Sequence, residues 1–130
     1  MSNLINYIDG IGKFTPSLII AELGDISRFD NIKQLTAYCG LGPSIKHSGS
    51  SINIGGPISK SGNRYIRRIL FVTVQNIIPI ASKNFPDNDI LLYYRKKRNE
   101  GKNHYVAIVD STTKLLRKIF ALVKQYQNNI

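Results

Sequence analysis

The sequence predicts a mainly α-helical fold: one compact helical domain whose helices are interrupted by a single Gly/Ser-rich loop. Apolar residues recur at the helical period through the second half of the chain, which predicts amphipathic helices there. Capping residues and glycines bracket segments of helical length in the first part. With 130 residues, 42% of them hydrophobic, the chain is long enough for one core. We therefore expect a single domain over residues 1–130, in three parts: 1–40, 41–62 and 63–130.

The first part, residues 1–40, is predicted to contain three short helices. Ser, Thr, Asp and Asn satisfy the free N–H groups at helix starts, proline suits the first helical position, and glycine suits the left-handed stop. These signals place the helices at 2–8, at 17–23 (Thr15 and Pro16 at its start, Gly24 at its end) and at 31–39 (Asp30 at its start, Gly40 at its end).

The turn Asp9-Gly10-Ile11-Gly12 gives this first part the pattern of a helix-hairpin-helix unit. Two glycines let the backbone turn tightly and aim its N–H groups, together with a helix N-terminus, at a phosphate. Gly10, Gly12 and the following Lys13 are therefore candidate DNA-binding residues. The alternative is a plain turn between two helices.

The second part, residues 41–62, is rich in Gly, Ser and Pro and is predicted to be a long loop. It has one candidate for regular structure, a small hairpin in which 44–47 pairs with 51–54 across Ser48-Gly49-Ser50.

From residue 63 onward the period is 3.6, and three helices are predicted. The first carries an apolar stripe, with the arginines Arg64, Arg67 and Arg68 expected on the opposite side. Pro79 is expected to end or kink this helix. The others are predicted over 87–100 and 104–127. The stripe consists of Ile66, Ile69, Leu70, Thr73, Val74 and Ile77.

The charge is strongly positive and lies in one half of the chain. The net charge is +10 and the isoelectric point is about 9.9. Residues 1–58 hold four basic and four acidic groups, whereas residues 59–130 hold fourteen basic and four acidic groups. Such an excess favours a polyanion or an anionic membrane as partner.

Other function classes are disfavoured by what the sequence contains. The single cysteine, Cys39, excludes an internal disulfide, and with two histidines it cannot make a zinc-ligand pattern, so no metal site is expected. The N-terminus lacks a signal-peptide pattern, and the longest apolar run is far shorter than the roughly 20 residues of a membrane span. We expect a soluble, cytoplasmic protein with no membrane partner.

The strongest candidates for phosphate contact are Arg64, Arg67 and Arg68, with Lys60 just before them. Guanidinium groups bind phosphate bidentately and stabilise charge that develops on its oxygens. No acidic residue balances them between 54 and 86. The alternative is a solvated helix face.

A second basic run, Arg95-Lys96-Lys97-Arg98, follows Tyr93 and Tyr94. It fits a patch that tracks a nucleic-acid backbone with stacking rings. It fits equally a basic helix end that complements the macrodipole, with the tyrosines in the core.

Ser48 is the candidate nucleophile of the loop. A serine nucleophile needs a base or cationic surroundings, and both His47 and the arginines are near it in sequence. Ser50, Ser51, Ser59 and Ser61 share the loop, and the residue types alone do not choose between them.

In combination, the ordered motifs of the chain resemble the carboxyl-terminal domain of the Piv-invertase-like insertion-sequence transposases. These are bridge-RNA-guided serine recombinases with an N-terminal RuvC-like domain. The resemblance runs from about residue 5 to 123. Its motifs are Gly10-Ile11-Gly12, Ala21-Glu22-Leu23-Gly24-Asp25, Arg28-Phe29, Leu35, Ala37-Tyr38-Cys39-Gly40-Leu41, Ser48-Gly49, Ile58-Ser59-Lys60 with Gly62, and Arg67-Arg68.

The resemblance implies a serine mechanism. Ser48 would form a transient phosphoserine with DNA, and Lys60, Arg64, Arg67 and Arg68 would contact DNA or the transition state. It also implies that magnesium is bound by four acidic residues of a RuvC-like domain absent from this chain. The implied partners are DNA, a guide RNA, the RuvC-like domain and, at full length, further copies of the protein.

We therefore expect the DNA-binding and serine-nucleophile domain of a transposase or site-specific recombinase. It would have no cofactor of its own and would be inactive alone, as an excised domain or the remnant of a decayed element. One alternative is a non-catalytic nucleic-acid-binding helical module. Another is a structural or oligomerising helical domain whose charge aids solubility.

Overall fold

A computed structural model describes residues 8–12, 15–41 and 63–128, and within these ranges the fold is mainly α, as predicted. It contains no strand in the described ranges. The predicted helix over 2–8 and the possible hairpin within 44–54 lie outside them. The helices are α1 (Thr15–Leu23), α2 (Ile32–Tyr38), α3 (Arg64–Asn84), α4 (Asp89–Asn99) and α5 (His104–Asn128), with one turn of 3₁₀ helix at Ile26–Arg28.

The core lies between the two long helices, α3 and α5. Helix α3 packs against α1, α4 and α5, while α5 also contacts α2 and the 3₁₀ turn. The predicted stripe of α3 is confirmed, since all its members are buried except the half-buried Ile69. The α5 side chains that complete this core without solvent exposure are Leu115, Leu116, Ile119 and Val123. Burial of these two faces is the main source of stability of the fold.

The predicted helix stops are confirmed at Gly24, Gly40 and Gly101, which all have positive φ. The end of α2 forms a Schellman motif: Leu41 N–H donates to the Thr36 carbonyl and Gly40 N–H to the Ala37 carbonyl, both at 3.0 Å. This motif turns the chain sharply at Gly40, so that the carbonyl of Gly40 points toward the start of α3.

The start of α2 differs by one residue from the prediction. Asn31, not Asp30, is the N-cap: its side chain accepts a hydrogen bond from Gln34 N–H at 3.0 Å. The Gln34 side chain accepts in turn from Asp30 N–H at 2.8 Å. The two bonds follow the reciprocal pattern of a capping box, in which side-chain oxygens accept from backbone N–H groups at the helix start.

Pro79 was expected to end or kink α3, and the helix continues past it to Asn84, so Pro79 does not end the helix. Pro79 cannot donate the hydrogen bond that the Gln75 carbonyl would otherwise accept. Both residues are exposed, so water can satisfy that carbonyl, while Ile77 and Ala81 on the other face are fully buried. Core packing on both sides of the proline therefore holds the helix together.

Candidate nucleic-acid interface

Asn63 fixes the start of α3 against two other helices. Its side-chain oxygen accepts from Tyr65 N–H at 3.0 Å and Ile66 N–H at 3.2 Å, as an N-cap does. Its side-chain amide donates to the Glu22 carboxylate at 3.3 Å and to the Tyr38 hydroxyl at 3.1 Å. Its own N–H donates to the Tyr38 carbonyl at 2.6 Å. The arginines that follow Asn63 are thereby held in a defined position relative to α1 and α2.

Arg67 is buried, and the prediction that it lies opposite the apolar stripe was wrong. Only 5% of it is exposed, and its Nη1 donates to the Gly40 carbonyl at 3.4 Å. Val74 comes seven residues later, so both side chains lie on nearly the same face of the helix. Arg64 and Arg68 are exposed, as predicted. The three arginines therefore divide into one buried and two surface cations.

Gly40 makes room for the buried guanidinium. A Cβ at this position would lie 2.6 Å from Arg67 Nη1, and the φ of Gly40 is 69°. Only glycine combines that backbone conformation with so close an approach. Burial lowers the pKa of Arg67, and the charge of Arg64 lowers it further, whereas Tyr105 raises it. The guanidinium nevertheless stays charged, because its ordinary pKa lies far above neutrality.

A cleft with a volume of about 600 Å³ opens beside this buried arginine. We call it the α3 cleft. Tyr65, at its mouth, is 74% exposed. None of the lining side chains that the structure describes is acidic, so the cleft combines positive charge with aromatic surface. It is lined by Arg64, Tyr65, Arg67, Arg68, Phe71 and Tyr105.

Tyr105 contributes a buried hydroxyl that has no hydrogen-bond partner among the described residues. Burial raises the pKa of this phenol, while the Arg67 charge opposes the increase. A buried polar group without a partner costs roughly 1–3 kcal/mol. A ligand oxygen within reach of Tyr105 would recover that cost. The cleft thus offers an anionic ligand guanidinium groups and the exposed phenol of Tyr65, whereas the buried Tyr105 hydroxyl has to turn toward the ligand before it can donate.

The glycine turn does not join the arginines. Gly10 lies against the α3 backbone, where a Cβ would meet the Cα of Ile77 at an ordinary contact distance of 3.5 Å, and its φ is 89°. Asn88 fastens the turn by donating to the Asp9 carbonyl at 2.8 Å. Ile77 comes ten residues after Arg67, about 15 Å along the helix. The positive φ explains a glycine at position 10, and the phosphate-binding role predicted for Gly10 and Gly12 stays a prediction.

The remaining predicted site residues, Lys13, Ser48 and Lys60, lie outside the described ranges. We call residues 42–62 the serine loop. The structure describes the residues on either side of it, Leu41 and Asn63. The hydrogen bond from Asn63 N–H to the Tyr38 carbonyl brings these two ends of the chain together. Both flanking positions lie close to Arg67, since Gly40, just before Leu41, accepts a hydrogen bond from its guanidinium and Asn63 caps the helix that carries it.

Sequence reasoning missed Gly40, Asn63 and Tyr105 as site residues. The first two carried a local signal, a helix stop and a helix cap, but nothing showed that they meet. Tyr105 comes thirty-eight residues after Arg67 and is brought to the cleft only by the packing of α5 on α3. No pattern in the chain links it to the arginines.

Two further findings concern metals and membranes. In ranges 8–12, 15–41 and 63–128, no three His, Cys, Asp or Glu residues lie close enough to hold a metal ion. Cys39 is fully buried, and burial raises the pKa of its thiol to about 12. Of the helices the structure describes, none has the length and apolar character that crossing a membrane requires.

Comparison with known proteins places the chain in a family. The sequence-family model of the Transposase IS116/IS110/IS902 family matches residues 2–87. The chain is 28% identical over 124 residues to an uncharacterized protein of insertion element IS110 from Streptomyces coelicolor, covering 95% of this chain and 29% of that protein. It is 29% identical over 124 residues to the pilin gene-inverting protein of Moraxella bovis, covering 95% and 37% respectively.

A shorter match has higher identity. Over 66 residues the chain is 38% identical to the transposase for insertion sequence element IS1111A of Coxiella burnetii, covering 51% of this chain and 18% of that protein. The matched part of the chain thus spans only 18% to 37% of the length of these three relatives. No solved structure matches it.

Proposed function

The chain belongs to the IS116/IS110/IS902 transposase family, and on that premise we propose that it is the DNA-gripping and serine-nucleophile domain of a transposase or site-specific recombinase. The observation that carries this proposal is the α3 cleft, whose Arg67 lies close to the described residues on either side of the serine loop. Its cations and phenol match a phosphodiester, whose charge sits on oxygens that accept hydrogen bonds. The pilin gene-inverting protein of Moraxella bovis, by its name, rearranges DNA, and its similarity to this chain supports the same partner.

In this proposal the three arginines have different tasks. Arg64 and Arg68, exposed at the cleft mouth, contact the DNA backbone as it approaches. Arg67 supplies a fixed charge from below, since its guanidinium is held by the Gly40 carbonyl. Fixed cations need no reorganisation during the reaction, which makes them effective at stabilising developing charge. Lys60 adds a further cation from the loop.

Ser48 performs the chemical step. The proton of its hydroxyl passes to water, and the oxygen attacks the scissile phosphorus. A Ser48–phosphate bond forms, one phosphorus–oxygen bond of the DNA breaks, and the leaving oxygen takes up a proton to become a hydroxyl end. The phosphoserine keeps the bond energy for rejoining. The arginines neutralise the charge of the five-coordinate phosphorus. The choice of Ser48 rests on its resemblance to the Ser-Gly motif of the bridge-RNA-guided recombinases.

The rest of the machinery belongs to the full-length protein. The same resemblance points to a RuvC-like domain with magnesium, a guide RNA and a homo-oligomer. The described residues of this chain do not provide the ligand set for magnesium, and we assign it no step here. The chain by itself is proposed to bind DNA without completing a recombination cycle.

The test is to replace Ser48 by alanine in the full-length protein and to compare it with Ser50→Ala, a serine of the same loop. We expect Ser48→Ala to lose recombination and the covalent protein–DNA adduct by at least about 10³-fold, since covalent catalysis needs its nucleophile. DNA affinity should stay within about twofold. Ser50→Ala should recombine normally.

The non-catalytic nucleic-acid-binding module remains the second candidate function. It is favoured by the basic and aromatic lining that the described residues give the α3 cleft, which suits nucleic-acid binding whether or not a serine reacts. The two candidates differ in one outcome: recombination that survives Ser48→Ala, with DNA binding unchanged, refutes the serine mechanism and leaves the binding module.

A further inference from the structure

A second basic surface lies on α4 and α5, centred on the half-buried Tyr93. Two adjoining surface depressions share this residue. We call this surface the Tyr93 groove. Its basic side chains come from both helices and from the turn between them, and they are Lys96, Lys97, Lys102, Lys114 and Arg117.

The cations of this region exceed its acidic groups even after ion pairing. Residues 89–128 contain nine basic and three acidic side chains. Each acidic group is engaged by one lysine: Asp89 by Lys118 at 3.1 Å, Glu100 by Lys97 at 3.4 Å and Asp110 by Lys102 at 3.3 Å.

Three cations of the Tyr93 groove take no part in these ion pairs. Within the ranges that the structure describes, Lys96, Lys114 and Arg117 form no salt bridge with a carboxylate. Together they present a surface of uncompensated positive charge. Such a surface attracts a polyanion, and phosphate contacts of this kind carry no sequence information.

The Tyr93 ring indicates which form of nucleic acid the groove suits. The ammonium groups of Lys97 and Lys114 lie 5.1 and 5.6 Å from the centre of this ring, within cation–π range. The ring thus positions cations instead of offering a free face to an unpaired base. Cations without a stacking platform suit the backbone of a duplex, whose bases are already stacked.

The groove faces away from the α3 cleft. Among the residues that the structure describes, the two surfaces share no lining side chain. On α5, Lys114 comes nine residues after Tyr105, which is about 13 Å along the helix and about half a turn round it. A ligand in the α3 cleft therefore leaves the groove open.

From this arrangement we infer that the Tyr93 groove binds the phosphodiester backbone of a second nucleic-acid duplex, so that one domain holds two nucleic-acid segments at once. This goes beyond the proposed function, on which it rests only for the choice of nucleic acid as partner. The duplex can be DNA or RNA, because both offer the same backbone phosphates.

A capture assay with the whole chain tests the inference. One duplex DNA is held on beads, protein is bound and excess washed away, and a second, fluorescent duplex of DNA or RNA is added. We expect the wild type to retain it, and the variant Lys96→Gln/Lys114→Gln/Arg117→Gln to retain at least about tenfold less. The salt slope for the second duplex should fall by about 2.7, since each contact contributes about 0.9.

The matched control is Lys33→Gln/Lys83→Gln/Lys124→Gln, which removes the same charge outside the groove and should capture like the wild type. Whether the DNA duplex or the RNA duplex is retained shows which nucleic acid the groove binds. Retention of neither duplex, or equal capture by both triple variants, overturns the inference. Arg64→Gln/Arg68→Gln separates it from the proposed function: normal binding of the bead-held duplex by this variant refutes the cleft and not the groove.

Discussion

The α3 cleft and the Tyr93 groove carry the same sign of charge but hold it in different ways. In the cleft, Arg67 is buried and tied to a backbone carbonyl, and the exposed ring of Tyr65 stands beside it. In the groove, the half-buried Lys97 and Lys114 lie over the ring of Tyr93, and Lys96 and Arg117 are exposed. Buried charge beside an exposed ring suits a reacting or distorted nucleotide, whereas surface charge over a covered ring suits a regular backbone. The comparison shows that the contacts around basic side chains, and not their number in sequence, indicate which ligand they suit.

The largest expected effect sharpens this contrast through two helix-ending glycines, Gly40 beside the cleft and Gly101 beside the groove. Both have positive φ, so alanine at either costs about 1–2 kcal/mol in backbone strain. Only Gly40→Ala also displaces Arg67, because nothing lies within 4 Å of a Cβ at Gly101. A displaced guanidinium loses a charged hydrogen bond of about 1.5–3 kcal/mol.

Urea unfolding of both variants measures this difference. Gly40→Ala should be less stable than Gly101→Ala by at least about 1 kcal/mol, within the additional loss that a charged hydrogen bond allows. It should also bind DNA more weakly, whereas Gly101→Ala should bind normally. Equal free energies of unfolding for the two variants would show that the contact between Arg67 and Gly40 does not stabilise the fold.

A smaller effect with an unusual sign is expected at Tyr105. Removing its buried, unpartnered hydroxyl in Tyr105→Phe should raise the free energy of unfolding by about 1 kcal/mol. The same change should weaken DNA binding about fivefold, because a donor to phosphate is lost, worth about 1 kcal/mol. Thermal unfolding and a DNA titration give the two quantities.

The control for Tyr105→Phe comes from the groove. Tyr93→Phe keeps the ring on which Lys97 and Lys114 rest, so stability and DNA binding should both stay nearly unchanged. A destabilised Tyr105→Phe would mean that the hydroxyl serves the fold, and the contrast between the two tyrosines would disappear.

The helices and their stops were predictable because their signals are local. Glycines at helix ends and an apolar period in α3 need no knowledge of distant residues. The burial of Arg67 was predictable too, because Val74 follows it at the spacing of one helix face, but the charge was given more weight than the position. The contact of that arginine with the Gly40 carbonyl was not predictable, since the two residues are twenty-seven positions apart in sequence.

The candidate site shows the same division. The arginines were found from sequence because they are neighbours on one helix. Asn63 reaches Glu22 and Tyr38 across forty-one and twenty-five residues, and these contacts arise only when α1, α2 and α3 pack together. The partnership of Tyr105 with Arg67 depends likewise on how α5 crosses α3. Long-range pairs of this kind follow from tertiary packing, which a single sequence does not specify residue by residue.

The salt dependence of DNA binding tests the central claim, that the α3 cleft contacts phosphates, most directly. With six to ten contacts in all, the wild type should lose about 10³–10⁵ in affinity between roughly 50 and 200 mM salt. Arg64→Gln/Arg68→Gln should lower the slope of log affinity against log salt by about 1.8, at about 0.9 per contact. The equally charged control Lys33→Gln/Lys83→Gln should keep the wild-type slope. A flat wild-type response, or equal slopes for the two double variants, would contradict the account.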